Sequence, residues 1–317
     1  MKAPAMELPV PEGLTFTFEI LERVVHDLGR VTHSFMEEQP FTALCTSDVA
    51  GASKIYWSEL LARVHIGAHL SLGRTRTWLS GVDTAWQAGN ALLFAAALRG
   101  LLESSADSWF TFRLVPMSLA THHYHIGRAV RGKSKRFHVM AELEEALIHF
   151  THARRLSKGE KAHAPKAHDA MTIQSYLRSL GADYDKIAAL YERLCALTHP
   201  SAESLFLFVE DYTASTWRLQ QWDQKALLAE LHTAFYDVFS DMLIRALNLP
   251  LTLLKLLNTF NEPSLFTSAL QSVDMRQIPA WSQIEQAIER SARTPMRPSP
   301  GPRAGDGEDG TGGGQPA

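Results

Sequence analysis

Cysteine is scarce in this chain, which has only Cys45 and Cys195 among its 317 residues. Two thiols this far apart in sequence do not form a disulfide framework, and no C-x-x-C pair indicates a zinc site. We therefore expect both cysteines to be reduced thiols. This use of cysteine favours a cytoplasmic protein.

Long hydrophobic runs are also missing. Ala91–Leu98 is too short to cross a bilayer, and Met242–Phe260 is interrupted by an arginine, a proline and a lysine. The first residues, Met1–Pro11, contain no apolar run and so lack the pattern of a secretory signal. We expect no membrane partner.

A strong excess of one charge is absent as well, since the formal net charge is −3. No global field would steer the protein to nucleic acid, so an RNA contact needs a local patch. The basic stretch 133–168 is the candidate, because its lysines and arginines can neutralise phosphates without reading bases. The alternative is a solvated loop.

Strand signals are few, and helical periodicity dominates. Only Leu205–Val209 has the pattern of a short strand, and one strand cannot form a sheet. Apolar residues recur at three-to-four spacing over Trp57–Leu72 and Leu228–Leu243, and Trp86–Arg113 is apolar on more than one side. The sequence therefore predicts an all-α fold, a helical bundle with long central helices. Shorter helices are predicted over Thr15–Met36, Val115–Val130, Ala141–Arg154, Thr172–Leu180, Tyr184–Leu197 and Trp281–Arg293.

The composition divides the chain into three parts. Residues 15–293 are predicted to form the helical domain, as one body or as two lobes. Residues 1–14 are expected to be a flexible N-terminus, and residues 294–317 a disordered tail rich in proline and glycine, because such segments bury too little surface to offset the entropy of ordering. Arg155–Ala170 mixes Lys, His, Gly and Pro without an apolar face, so we expect it to be mobile.

The segment from Arg193 to His199 carries the first candidate chemistry. A neutral histidine can take a proton from a ribose 2′-hydroxyl while an arginine holds the phosphate and its developing charge. Such a site needs no metal. The alternative is that His199 and Pro200 end a helix, where the helix dipole favours histidine, and that Arg193 is a surface residue.

This arrangement resembles the HEPN superfamily, all-α bundles whose signature is an arginine, four to six residues and a histidine. The resemblance implies a metal-independent RNA endonuclease of a defence or toxin–antitoxin type, with Arg193 as phosphate ligand and His199 as acid–base group. It also implies a homodimer whose protomers line a shared cleft. Other members are inactive, or serve as dimerisation and nucleotide-binding modules.

Two further features bear on the resemblance. The run Leu98–Asp107, with Glu103 embedded, resembles the apolar helix that packs beside the motif helix in HEPN-like proteins, so Glu103 joins the candidate catalytic set. The sequence departs from the usual pattern at Leu194, where active members carry a polar residue, and at Pro200 directly after the histidine.

A second motif, GRAVRGKS, matches the P-loop pattern with Gly127, Gly132, Lys133 and Ser134. In a P-loop, backbone amides cradle phosphates, the lysine reaches the β- and γ-phosphates, and the serine binds Mg²⁺. Such a loop must follow a buried strand, whereas the preceding residues are polar and rich in histidine. The alternative is a loop between two helices with exposed basic residues.

Histidine pairs are the only suggestion of a metal. His65 and His69 are four apart on a predicted helix and share a face, but the pattern lacks the glutamate of a zinc-protease helix. One E-x-x-H motif, from Glu160 to His163, does not make a di-iron site. We therefore expect no metal and no cofactor.

Charged residues at spacing four also lie on the predicted central helix, at Arg99, Glu103 and Asp107. They can orient Arg193 or His199 across the bundle, or Arg99 and Glu103 can pair locally. Three functions stay open: a HEPN-like endonuclease, a non-catalytic helical interaction or scaffold protein, and a P-loop nucleotide binder. Geometry separates the first two. Catalysis requires Arg193 and His199 to reach one accessible cleft with Glu103 or Asp107 nearby, whereas in the interaction protein Arg193 pairs on the surface and His199 faces backbone carbonyls.

Overall fold

Helices dominate the backbone in the computed structural model, which describes residues 15–26, 31–181, 184–220 and 222–293. The α-helices are α1 (Thr15–His26), α2 (Glu38–Ser47), α3 (Val49–Gln87), α4 (Ala91–Phe112), α5 (Val115–Thr121), α6 (His123–Val130), α7 (Ala141–His152), α8 (Lys158–Lys161), α9 (Ile173–Arg178), α10 (Tyr184–Thr198), α11 (Ala202–Phe206), α12 (Gln224–Asn258) and α13 (Pro279–Arg293). Short 3₁₀ helices cover Lys166–His168, Pro263–Leu265, Ser268–Leu270 and Met275–Gln277.

Strands β1 (Val209–Tyr212) and β2 (Trp217–Leu219) form one antiparallel hairpin, in which Tyr212 pairs with Trp217 and Val209 with Leu219. The predicted all-α fold is confirmed. The run Leu205–Val209, whose pattern left a strand undecided, enters the strand only at its last residue, because Ser201 caps α11 with a capping box and the chain turns before it extends. The predicted flexible segment 1–14 and disordered tail 294–317 lie outside the described residues.

The long helices α3, α4 and α12 pack against one another at the centre of the bundle. Their alanine- and leucine-rich sequences bury side chains on several sides, including Leu61, Leu101 and Leu254, each 0 % exposed. One apolar cluster joins the first half of α3 and the second half of α12 to α1, α5, α6, α7 and α13. A second cluster joins the end of α3 and the first half of α12 to α4, α9 and α10. The central helices therefore connect both parts of the core.

Local sequence sets where these helices begin and end. Asp48 caps α3 by accepting a hydrogen bond from the amide of Gly51. The predicted helix Trp86–Arg113 is broken at Gly89, which has a φ of 65° that favours glycine, and Asn90 then caps α4. Helix α12 bends at Phe235, whose φ of −126° is not helical. Residues 31–36, predicted to continue α1, are not helical.

The stretch Arg155–Ala170, predicted to be mobile, carries a set of local contacts. Ser157 and Glu160 form a capping box at the start of α8, and Arg154 pairs with Glu160 at 2.6 Å. Lys161 pairs with Asp169 at 2.7 Å. These contacts are polar and lie on the surface, and the mobility of the segment stays a prediction. No helix among the described residues is long and apolar enough to cross a membrane.

Candidate functional site

Helix α10 lies against α4, and this contact builds the candidate site. Leu98 and Leu101 of α4 and Leu190 and Leu194 of α10 are buried in the shared core, each at most 4 % exposed. Burying these leucines fixes the rotation of both helices about their axes. The residues beside them are therefore held at the outer edge of the contact.

Spacing by four then lines up polar side chains on each helix. Arg99 and Glu103 share one face of α4, and Tyr191 and Cys195 share one face of α10, with His199 one further turn along the chain. The two rows face each other at the edge of the helix pair. The same spacing is visible in the sequence, so this signal could have identified Tyr191 as a site residue.

Arg99 is the centre of the cluster. Its Nε donates to Glu103 Oε1 at 2.9 Å, and its Nη1 lies 3.3 Å from Thr198 Oγ1 and 3.2 Å from His199 Nε2. The hydroxyl of Thr198 donates to the carbonyl of Leu194 at 2.8 Å, so its oxygen is free to accept from Arg99. Both interactions foreseen for Arg99 are present: a local pair with Glu103, and a contact to His199 across the bundle.

Glu103 fixes the arginine from the other side. Its Oε1 also accepts from the Tyr191 hydroxyl at 3.1 Å, and the guanidinium carbon of Arg99 lies 5.7 Å from the centre of the Tyr191 ring. Burial, a hydrogen bond to Cys195 and the charge of Glu103 raise the pKa of Tyr191 to about 12. Tyr191 is therefore a neutral donor at physiological pH and supports the carboxylate.

The charge of Arg99 is maintained despite its partial burial. Burial lowers the pKa of Arg99, but the hydrogen bond and charge of Glu103, with smaller contributions from Cys195 and Tyr191, together raise it above its ordinary value. An arginine N–H can only donate, so His199 Nε2 accepts and carries no proton. The geometry thus corresponds to a neutral imidazole protonated at Nδ1.

His199 lies just beyond the last residue of α10. Its amide donates to the carbonyl of Cys195 at 2.9 Å, and Pro200 prevents the helix from continuing. Ser201 then begins α11. The imidazole is exposed, while Arg99 and Glu103 beside it are partly buried, with 26 % and 35 % of their side chains exposed. A ligand can therefore reach the histidine and the edge of the guanidinium from solvent.

Arg193 occupies a different place. Its Nη2 lies 3.3 Å from Glu230 Oε1 of α12, in an ion pair whose side chains are 37 % and 61 % exposed. The structure thus brings His199 and Glu103 together through Arg99, and it directs Arg193 toward α12. Asp107 also points elsewhere, since it binds Arg74 of α3 at 2.7 Å. Of the two acidic candidates, only Glu103 belongs to the cluster.

The P-loop interpretation of Gly127, Gly132, Lys133 and Ser134 is wrong, for two reasons. Helix α5, not a strand, precedes the segment, and Gly127 is buried inside α6. The amide of Gly132, whose φ is 66°, donates to Ala129, and that of Lys133 donates to Arg128, both at 2.8 Å. These two bonds form a Schellman motif that ends the helix. The amides of Gly132 and Lys133, which would cradle phosphates in a P-loop, are therefore already hydrogen-bonded within the protein.

The paired histidines have partners other than a metal. His65 Nδ1 lies 3.1 Å from His33 Nε2, and His65 Nε2 lies 3.2 Å from His69 Nε2. His65 is 1 % exposed, and burial, followed by the charges of His69 and His33, lowers its pKa to about 3. Since His65 presents a different nitrogen to each neighbour, the three rings do not converge on one ion. Over the described ranges, no group of three His, Cys, Asp or Glu could hold a metal.

The lysines and arginines of the basic stretch 133–168 are exposed. Arg154 and Lys161 are paired with carboxylates, as described above. The remaining cations of the stretch are exposed and form no ion pair with a described carboxylate; they are Lys133, Lys135, Arg136, Arg155, Lys158 and Lys166.

Comparisons of the chain with protein-family models, with curated proteins and with solved structures found no match.

Proposed function

We propose that the protein is a HEPN-like, metal-independent RNA endonuclease in which His199 is the acid–base group and Arg99 holds the phosphate. The observation that supports this is the 3.2 Å contact between Arg99 Nη1 and His199 Nε2 at an exposed surface. Arg193 does not reach His199 as the motif requires, because it pairs with Glu230, and the proposal assigns its role to Arg99, which lies beside His199 with Glu103 nearby.

The chemistry follows from the two groups. A phosphodiester that binds Arg99 draws the guanidinium away from the histidine, which frees the lone pair on Nε2. The neutral imidazole then takes the proton of the 2′-hydroxyl, and the 2′-oxygen attacks phosphorus. The P–O5′ bond breaks, leaving a 2′,3′-cyclic phosphate and a 5′-hydroxyl fragment, and the imidazolium returns its proton to the leaving oxygen. Arg99 neutralises the negative charge that develops on the non-bridging phosphate oxygens.

Glu103 has a positioning role in this proposal. It does not contact the phosphate, but its Oε1 holds Nε of Arg99 and is itself held by Tyr191. Glu103 therefore holds the Nε end of the guanidinium while Nη1 exchanges His199 for the phosphate, which reduces the entropy lost on binding. RNA contact along the basic stretch 133–168 and assembly as a homodimer belong to the same proposal. The six exposed cations of that stretch, which form no ion pair with a described carboxylate, support the RNA contact.

The test is cleavage of labelled RNA in excess EDTA by a set of single variants. We expect His199→Ala and Arg99→Ala to lose at least a hundredfold in rate, in line with typical losses for an acid–base group and a charge-stabilising donor. Arg193→Ala should retain activity, because Arg193 binds Glu230. Lys186→Ala is the matched control, since it removes an exposed cation from the same helix. Loss in Arg193→Ala with retention in Arg99→Ala would reverse the assignment of the two arginines.

A non-catalytic interaction protein is the second candidate, and the β1–β2 hairpin favours it. The ring of Phe206 stacks on Tyr212 at 4.8 Å and on Trp217 at 5.8 Å between centroids. Tyr212 and Trp217 are nevertheless 56 % and 58 % exposed, and contiguous exposed apolar surface marks interaction sites. If no variant cleaves any RNA, and Trp217→Ser disperses an oligomer seen in sedimentation, this second function replaces the first.

A further inference from the structure

A groove lies where the end of α4, helix α5 and the start of α7 meet. Its volume is about 530 Å³, within the range typical of small-molecule sites. The apolar part of its lining consists mainly of Phe110, Leu114, Val115, Val139, Met140 and Leu143. Leu114 is 67 % exposed and Val139 53 % exposed, so the groove opens to solvent along an apolar rim. This shape and lining suit an apolar body.

Arg113 supplies the one cation of the lining. Its Nη1 donates to the carbonyl of Phe110, and its guanidinium carbon lies 4.9 Å from the centre of the Phe110 ring. No described carboxylate forms an ion pair with Arg113, whereas Arg99, Arg74 and Arg193 each have such a partner. The guanidinium is thus held at the groove by its own helix, without an ion-pair partner among the described residues.

Two hydroxyls and a helix end add polarity at the same place. Thr111, which is 3 % exposed and lines the groove, has a hydroxyl without a hydrogen-bond partner, and Ser118 also lines it. Helix α7 begins at the groove with Met140 as its N-cap and without a side-chain cap, so its first amides favour a negative group. Glu142 is the opposing feature, because its exposed carboxylate lines the groove and repels an anion.

We propose that this groove binds an amphipathic small molecule with an apolar body and one carboxylate. The apolar part lies along the Leu114 and Val139 rim, and the carboxylate pairs with Arg113. A bidentate arginine–carboxylate pair gives the site its preference for the anion over a neutral analogue. The site is separate from the Arg99–His199 cluster and does not depend on the proposed RNA chemistry.

The probe is sodium octanoate, compared with 1-octanol, in isothermal titration calorimetry of the full chain. We expect one octanoate to bind per chain, and 1-octanol to bind at least about tenfold more weakly. Arg113→Gln should abolish this preference, and Glu142→Gln should tighten octanoate binding by removing a like charge. Val139→Trp should block both probes by filling the groove. Because Val139 is more than half exposed, this variant should melt at the temperature of the wild type.

Each outcome decides the proposal. Saturable octanoate binding that falls in Arg113→Gln and in Val139→Trp supports it. Absence of saturable binding up to roughly ten millimolar octanoate overturns it, since such affinity would be too weak for a built site. Equal binding of octanoate and 1-octanol overturns the carboxylate assignment. Should Val139→Trp prove unstable, opposite changes in Arg113→Gln and Glu142→Gln still test the claim.

Discussion

The buried histidine at the centre of the His33–His65–His69 row makes stability depend on pH in a predictable way. His65 is 1 % exposed, and burial, with the charges of His69 and His33, lowers its pKa from 6.5 to about 3 in the folded protein. The unfolded chain therefore binds a proton below pH 6.5 that the folded chain does not bind. The contribution of His65 is complete above pH 6.5 and is lost progressively as the pH falls toward 3.

The magnitude follows from the linkage relation. Of the interval from pH 7.5 to pH 5.0, roughly 1.5 pH units lie below the pKa of His65 in the unfolded chain. Each of these pH units lowers the free energy of unfolding by about 1.4 kcal/mol, so protonation of His65 in the unfolded chain should lower it by about 2 kcal/mol in total. At pH 5.0 most carboxylates are still ionised, so their protonation contributes little to the loss of stability over this interval. The variant His65→Gln lacks the titrating group and should lose about 2 kcal/mol less than the wild type over the same interval.

The assay is urea unfolding followed by tryptophan fluorescence, at both pH values and for both proteins. The comparison is made within each protein, so a lower absolute stability of His65→Gln does not affect it. Equal pH-dependent losses in wild type and variant would refute the reasoning, because His65 would then titrate alike in the folded and unfolded chains.

Three further perturbations follow from the packing of the central helices and from the surface. Gly100→Ala should destabilise the protein by about 1–3 kcal/mol in urea unfolding, because a Cβ at Gly100 would lie 2.6 Å from the Trp78 ring. The control Gly159→Ala, whose Cβ would have nothing within 4 Å, should not destabilise the protein, and equal effects of the two substitutions would contradict this reasoning. Leu61→Ala removes a side chain that is 0 % exposed and should cost about 2–5 kcal/mol, and a smaller loss would mean that the core collapses around the cavity. Trp217→Ser should leave the melting temperature within a few degrees, because its ring is 58 % exposed; a large drop by circular dichroism would show that the hairpin stabilises the fold.

Helical periodicity predicted most of the fold because buried stripes leave a direct record in the sequence. The stripe from Leu228 to Leu243 belongs to α12, and the apolar run after Trp86 belongs to α4. The break between α3 and α4 was missed because it depends on Gly89 and Asn90, whose turn-forming role competes with a strong apolar pattern.

The candidate site was predictable in part. Motif and resemblance point to His199 and Glu103, and the charge spacing on the predicted central helix points to Arg99 as a residue that can reach across the bundle. Which arginine lies beside His199 could not be read from the sequence, because it depends on the relative rotation of α4 and α10. The sequence motif favours Arg193, six positions earlier, but the packing directs that side chain to Glu230 of α12. The P-loop match also shows that a short motif does not determine structure, because the same residues fit the Schellman motif that ends α6 equally well.

The measurement that tests the central claim most directly is the chemical identity of the ends produced from a defined RNA in excess EDTA. The Arg99–His199 mechanism predicts a 2′,3′-cyclic phosphate on one fragment and a 5′-hydroxyl on the other, both absent with His199→Ala. Intact RNA, fragments with a 3′-hydroxyl and a 5′-phosphate, or the same products from His199→Ala would contradict it.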